Sequence, residues 1–349
     1  MNIDSVINAL DLISQKRIAV FGDFVLDKYL YSDPERDEVS VETGLMAYQI
    51  DRKDMQAGVA GCTVNNLRGI GADAVAVGII GNDGEGFELL RAMHKNGINT
   101  EHIVKSENII TNTYVKPMRK KSLGEYVEIN RLDFRNFQPL CTEDEDKLLS
   151  QLRTVVKTVD CVVTTDQYNQ RNTGAVTDRV RGALCSIAKD NPDVVFYIDS
   201  REFLGEYENH AMKCNNYEFV KAFCSGKGDP EDIEMLVAEG RKVRAKYKKP
   251  LFITCGKSGI LAISDETYLV PAHPVPPPVD TVGAGEACNA AIGAGLACGL
   301  EPWEAAVLAC CVSSITVQQI GTTGTATIPQ LKERLLSYKQ NYSQDIRKI

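Results

Sequence analysis

Six short apolar runs, at 17–23, 74–81, 161–166, 194–200, 211–215 and 251–256, constrain the fold more than any other feature of this sequence. Most are close to continuous in hydrophobic residues rather than alternating, the pattern of a strand covered on both faces. Amphipathic segments lie between most of them. Strands that alternate with helices in this way predict an α/β protein, with a mainly parallel central sheet flanked by helices on both faces. Thr142-Glu143-Asp144-Glu145 has the spacing of a capping box ahead of Leu148, Leu149 and Leu152, and Asp229-Pro230-Glu231 puts proline in the first turn of another predicted helix.

Two stretches, 29–57 and 108–133, break the alternation. They are polar, lack a helical period and hold short β-rich pieces at 46–51, 113–117 and 126–132, which predicts a small β-sheet projecting from the body as a lid. The chain reads as one domain over 1–349 with these lid segments inserted. Pro274-Val275-Pro276-Pro277-Pro278 is an extended, stiff lead into the residues from 279 onward.

Composition narrows the function. A chain of 349 residues can bury a full core. The formal net charge is −8, the pI is about 5.2, and the largest basic cluster is Arg119-Lys120-Lys121, so the footprint of a nucleic-acid partner is missing. The eleven cysteines, among them Cys161, Cys255 and Cys298, are scattered through apolar stretches without a CxxC pair and read as small hydrophobes in a reduced compartment. Met1-Asn2-Ile3-Asp4 opens no leader pattern, and no apolar run approaches the roughly 18 residues of a membrane helix. The expectation is a cytoplasmic protein with no membrane partner.

The chemistry concentrates in Asp280-Thr281-Val282-Gly283-Ala284-Gly285-Glu286-Ala287, a Gly-rich turn that opens a small-residue helix over 287–296. Such a turn lets N–H groups of Gly283, Ala284 and Gly285 converge where a helix start favours an anion, beside a carboxylate, Glu286, able to take a proton from a hydroxyl. The same turn equally serves close packing of a helix on a sheet. Two other nucleotide motifs fail: a dinucleotide fingerprint from Gly283 meets Cys288, and a Walker A ending at Gly256-Lys257-Ser258 meets Leu251.

Asn215 and Glu218, three residues apart, read either as holders of hydrated Mg²⁺ or as the cap of the next helix. Thr254-Cys255-Gly256-Lys257-Ser258-Gly259 reads as a phosphate-contacting loop or a plain β-turn. Asp23 and Asp27 stand at the C-terminal edge of the first strand, where open α/β sheets bind ligands, or else cap a turn. Gly58 and Gly61 open a helix and either admit a ligand to the backbone or pack it closely.

In this order the pieces resemble the ribokinase-like, or PfkB, family of carbohydrate kinases across almost the whole chain. The matches are Gly22-Asp23 with Asp27, the Gly58 to Asn66 stretch, Asn215 with Glu218, and Asp280 to Gly285. The heptose-phosphate kinase branch is most similar, on Gly22 to Tyr29, Asn130-Arg131-Leu132-Asp133-Phe134 and Asp199-Ser200-Arg201. The resemblance implies an ATP-dependent kinase of a sugar or sugar phosphate with Glu286 as base and Gly283, Ala284 and Gly285 as anion hole. It further implies Asp23, Asp27, Gly58, Gly61, Arg131 and Asp166 on the sugar, and Asn215, Glu218, Thr254, Gly256 and Gly259 on ATP and Mg²⁺. A K⁺ ion beside Asp280 and the Val282 backbone and a homodimer through the lid are also implied. No His-x-Gly-His of a fused nucleotidyltransferase occurs. Three departures stand out: Glu286 where the family has Asp, Val59 and Cys62 in the sugar motif, and Gln167-Tyr168-Asn169-Gln170 where heptose kinases have Lys-Gly. The longer carboxylate opens a second reading, a sugar- and nucleotide-binding protein with impaired catalysis. A nucleoside kinase ranks third, because no aromatic residue lies near Gly58 in sequence.

Overall fold

The apolar runs form the middle of a ten-stranded sheet in the computed structural model, which describes residues 1–121 and 124–349. Ser122 and Leu123, in the second expected lid segment, lie outside the described residues. Seven strands are parallel, in the order Asn99–Ser106, Asp73–Gly81, Arg17–Gly22, Cys161–Asp166, Val195–Ser200, Ala211–Asn215 and Leu251–Thr254. Ile260–Ile263, Thr267–Val270 and Arg347–Lys348 extend it antiparallel. Every residue of Cys161–Asp166 is buried. Alternate residues of the first strand feed opposite cores, Ile18 and Val20 one, Ala19 and Phe21 the other, as the two-residue period of a strand requires.

Helices Ala60–Gly69, Ala284–Ala297 and Pro302–Thr316 cover one face, and Thr142–Val155, Asp178–Asp190 and Ile233–Tyr247 the other. Two of the helix starts differ from expectation. Thr142–Val155 is capped by Cys141 without a side-chain bond, and Glu145, the carboxylate expected in the box, has tertiary partners instead, as does its neighbour Asp144. Asp144 accepts from Ser106 Oγ at 2.6 Å and from Asn108, and Glu145 accepts from Thr177 and Arg179. Ile233–Tyr247 starts after Asp232, which accepts from the Glu234 and Met235 amides; Pro230 stays in the preceding turn.

The lid is a second sheet in the order Leu132–Phe134, Thr113–Lys120, Phe24–Ser32 and Ile50–Val59, with Tyr126–Glu128 paired to Thr113–Lys120. Glu38–Val39 and Met46–Ala47 form a separate small hairpin. Only Asp23 separates the first strand of the body from Phe24–Ser32, so the lid grows directly from the sheet's carboxyl edge. Strand alternation puts Asp27, Tyr29 and Tyr31 on one lid face, level with Tyr114, Lys116 and Met118 on the neighbouring strand. Lys28 and Lys53 pair with Glu85 and Glu88 of helix Gly84–Lys95 at 3.1 and 3.2 Å.

Candidate active site

The carboxyl ends of the parallel strands and the lid's Asp27 face converge on the start of helix Ala284–Ala297. Gly283 is its N-cap, in the left-handed region at φ 80°, a conformation that costs glycine little. The Ala284 amide does not join the expected anion hole, because it donates to the Thr281 carbonyl at 3.2 Å. The Gly283 and Gly285 amides meet no acceptor among the described residues and remain available to an anion. Glu286 sits half-buried in the first turn. Burial pushes its carboxyl above the usual carboxylate range, the Asp199 charge adds to this, and Lys213 and Arg201 oppose it.

Cys62 lies against this turn, with its Sγ 3.4 Å from where a Cβ on Gly283 would stand. Burial raises its thiol pKa, and the charges of Glu286 and Asp27 raise it further, so these three residues from separate elements share one site. Asn66 ties the same helix to the far loop, donating to the carbonyls of Cys62 at 3.0 Å and Gly324 at 3.3 Å.

On the lid side Asp27 is buried and pairs with Lys116 at 2.7 Å. Lys116 also donates to the Tyr29 hydroxyl at 3.1 Å. Gly58 makes room for that carboxylate, since a Cβ there would stand 2.4 Å from Asp27 Oδ2. Gly61 serves packing instead: a Cβ would meet that of Ala57 at 2.5 Å. Between them Val59 holds φ 54° and ψ −115°, a strained conformation for a β-branched residue.

Asp23 and Asp166 do not offer the free carboxylates expected of sugar contacts. Asp23 accepts from the amides of Gln167 at 2.9 Å and Ala175 at 2.7 Å, anchoring the 167–175 loop, and burial beside Asp166 pushes its carboxyl up to about 7. Asp166 is buried and accepts from Ser200 Oγ and the Tyr207 hydroxyl, each at 2.8 Å, with Arg181 at 3.5 Å. Arg131 is exposed, pairs with Asp133 at 2.7 Å, and lies over Tyr114. The charges of Arg135 and Arg201 also reach Tyr114, and neither arginine has an ion pair among the described residues. Arg119 and Lys120 are taken by Asp37 and Asp33.

Among the residues expected to meet the nucleotide, Asn215 and Thr254 are neighbours in register. Asn215 and Glu218 form a reciprocal capping box, at 2.8 and 2.9 Å, that leaves the second Glu218 oxygen without a protein donor among the described residues. Gly256 is exposed at φ 53°, whereas Gly259 lies at φ 99° with a Cβ position 2.0 Å from the Val270 carbonyl, so its role in the turn is steric. Asp280 accepts from the amides of Val282 at 3.0 Å and Gly321 at 2.9 Å, which joins two loops and uses both carboxylate oxygens.

Sequence reading missed several residues here. Tyr29, Tyr31, Lys116 and Tyr126 line, with Asp280 and Val282, a cavity of about 260 Å³ between lid and body. No aromatic residue lies near Gly58 in sequence, and these tyrosines come from other lid strands. The strand alternation at 27, 29 and 31 was the available signal. Gln56 reaches across from the lid to Thr322 and Thr323 at 3.4 Å. Lys213, buried within its strand, pairs with Asp199 at 3.1 Å under the Gly-rich turn.

A pfkB family carbohydrate kinase model matches residues 15–329. The bifunctional protein HldE of Pelobacter propionicus is 28% identical over 327 residues, 93% of this chain and 64% of that protein. HldE of Coxiella burnetii strain Dugway is 27% identical over 335 residues, 93% of this chain and 65% of the relative. The chain thus spans somewhat less than two thirds of the length of these curated relatives. Among solved structures, Arabidopsis thaliana ribokinase complexed with ribose and ATP has a TM-score of 0.64 at 16% identity, covering 93% of this chain and 99% of that one. Ribokinase from Cryptococcus neoformans in complex with ADP has a TM-score of 0.62 at 18% identity, covering 91% and 99%. At these identities the structural likeness shows the fold.

Proposed function

Because this chain belongs to the pfkB family of carbohydrate kinases and has a ribokinase-like fold, we propose that it transfers the γ-phosphoryl group of ATP to a hydroxyl of a sugar phosphate. The observation that carries this reading is Glu286 in the first turn of a helix whose Gly283 and Gly285 amides are free among the described residues. In this reading the acceptor lies against the Asp27–Lys116 pair. Glu286 takes the hydroxyl proton, the oxygen attacks the γ-phosphorus, the bond to the β-phosphate oxygen breaks, and ADP leaves. The two amides stabilise charge developing on the phosphoryl oxygens. Arg135 and Arg201, whose charges reach Tyr114 and which have no ion pair among the described residues, support a phosphorylated acceptor over a neutral sugar.

No group of three or more His, Cys, Asp or Glu able to hold a metal occurs among the described residues. Mg²⁺ binds through few protein ligands and keeps its waters. The unengaged Glu218 oxygen and Asn215 fit such a hydrated ion, which would neutralise phosphate charge. K⁺ fits less well, since Asp280 already closes its loops through two amides, and no step is routed through it. No helix among the described residues is long and apolar enough to cross a membrane.

The test is ATP consumption with Mg²⁺ across paired sugars and sugar phosphates, beside Glu286→Ala and Glu286→Asp. General-base loss costs about 10²–10⁴-fold, so turnover that falls this far in Glu286→Ala and persists in Glu286→Asp supports the reading. Native silence with turnover gained in Glu286→Asp would favour the second one, a binding protein whose catalysis lapsed with the longer carboxylate. Exposed Val39, Val41, Leu45 and Met46 on the lid hairpin support a homodimer through the lid. A monomeric mass by light scattering at micromolar concentration would remove it.

A further inference from the structure

Lys213 is the middle residue of strand Ala211–Asn215 and points, with Ala211, toward the face that helix Ala284–Ala297 covers. A lysine 5% exposed inside a parallel sheet is costly unless its charge is matched. Asp199 supplies the match at 3.1 Å. The same Asp199 oxygen accepts from Asn289 Nδ2 at 2.6 Å, and Asn289 Oδ1 accepts from the Tyr197 hydroxyl at 2.9 Å, so the carboxylate that seats the lysine is itself fixed from the helix and from its own strand. Burial is the largest influence and works against the ammonium, but the charge and hydrogen bond of Asp199, together with Cys288 and Glu218 nearby, outweigh it and keep Lys213 protonated.

An ammonium has three donors, and Asp199 is the one hydrogen-bond partner of this one among the described residues. The remaining donors lie toward the Gly-rich turn. A Cβ on Gly285 would meet nothing within 4 Å except Lys213 Nζ, at 3.6 Å. Gly285 is therefore not a glycine for want of packing space. Its missing side chain leaves an opening between the buried ammonium and the amides of the turn.

We propose that Lys213 is a phosphoryl-binding residue: seated by Asp199, its ammonium reaches past Gly285 to the γ-phosphoryl oxygens that the Gly283 and Gly285 amides also meet. The proposal rests on the kinase reading above. It adds a full positive charge, carried on a buried side chain, to a site otherwise made of backbone dipoles.

The experiment measures binding of MgADP and of the non-hydrolysable ATP analogue MgAMP-PNP by calorimetry. It compares the native protein with Lys213→Met and with the double variant Lys213→Met/Asp199→Asn, in which no buried charge is left unpaired. Thermal melting checks that the double variant is folded. The expected result is a loss of about tenfold or more in MgAMP-PNP affinity, with MgADP affinity within about twofold of native, since a tenfold change is what a single charge-assisted contact supplies. A folded double variant with native affinity for both nucleotides overturns the role of Lys213 and leaves the kinase reading standing. Native protein that binds neither nucleotide overturns both.

Discussion

In the proposed reaction the turn at 283–286 and the lid serve one site with opposite physical means. Around the turn, charge is buried and supported: Lys213, Asp199, Asn289 and Tyr197 form a connected network inside the body. On the lid, the buried Asp27–Lys116 pair bridges the two middle strands of a sheet whose other ion pairs, Lys53–Glu88 and Lys120–Asp33 among them, are partly open to solvent, where each contributes less. The lid joins the following helix through a strained Val59, and Gln56 touches the far loop only through long contacts of 3.4–3.5 Å. A site for charge that appears in a transition state benefits from rigid, dry surroundings. A site that must admit and release a polar acceptor benefits from a support that gives way.

That contrast can be broken most directly at Gly58. In Gly58→Ala the new Cβ stands 2.4 Å from Asp27 Oδ2 and must displace the carboxylate. A misplacement of about 1 Å can cost about a hundredfold, so kcat/KM for the acceptor should fall by roughly that much while MgADP affinity holds. Equal losses on both sides would show that lid and turn are one rigid unit.

A pH profile sharpens the same comparison on the body side. A base works when deprotonated, and burial raises the Glu286 carboxyl. Activity should therefore rise with pH along an acid limb centred above the usual glutamate value of about 4.3. A limb at or below that value would mean that Glu286 is well solvated in the working enzyme, or that another group takes the proton.

The smallest effect is expected at Val59. Its backbone conformation costs of order 1–3 kcal/mol, which glycine relieves, while glycine also loosens the unfolded chain by about 0.5–1 kcal/mol. Val59→Gly should raise stability by about 1 kcal/mol in denaturant unfolding. A drop instead would place the strain elsewhere and the lid junction among the well-packed parts.

How legible the molecule was follows the same division. The strand 161–166 is legible to the residue because apolar Cys161-Val162-Val163 runs on into β-branched Thr164-Thr165, a composition that suits a strand buried along its whole length. The Gly-rich turn is equally plain, because left-handed backbone at Gly283 restricts the residue type. Capping at 142–145 is misleading in sequence because local spacing carries no trace of Ser106, Thr177 or Arg179, which claim those carboxylates from other elements. Asp23 and Asp166 keep their place at the sheet edge, yet their oxygens go to amides, hydroxyls and a guanidinium brought in by folding.

By itself the sequence determined the layers, the strand positions and the chemistry-bearing turn, since these depend on periodicity and backbone conformation within a few residues. Only the tertiary structure decided which polar groups remain free to act. Asp199 lies fourteen residues from Lys213 and ninety from Asn289, and hydrogen-bond partners compete for each carboxylate across such separations. The outcome of that competition is set by packing, which no local pattern records.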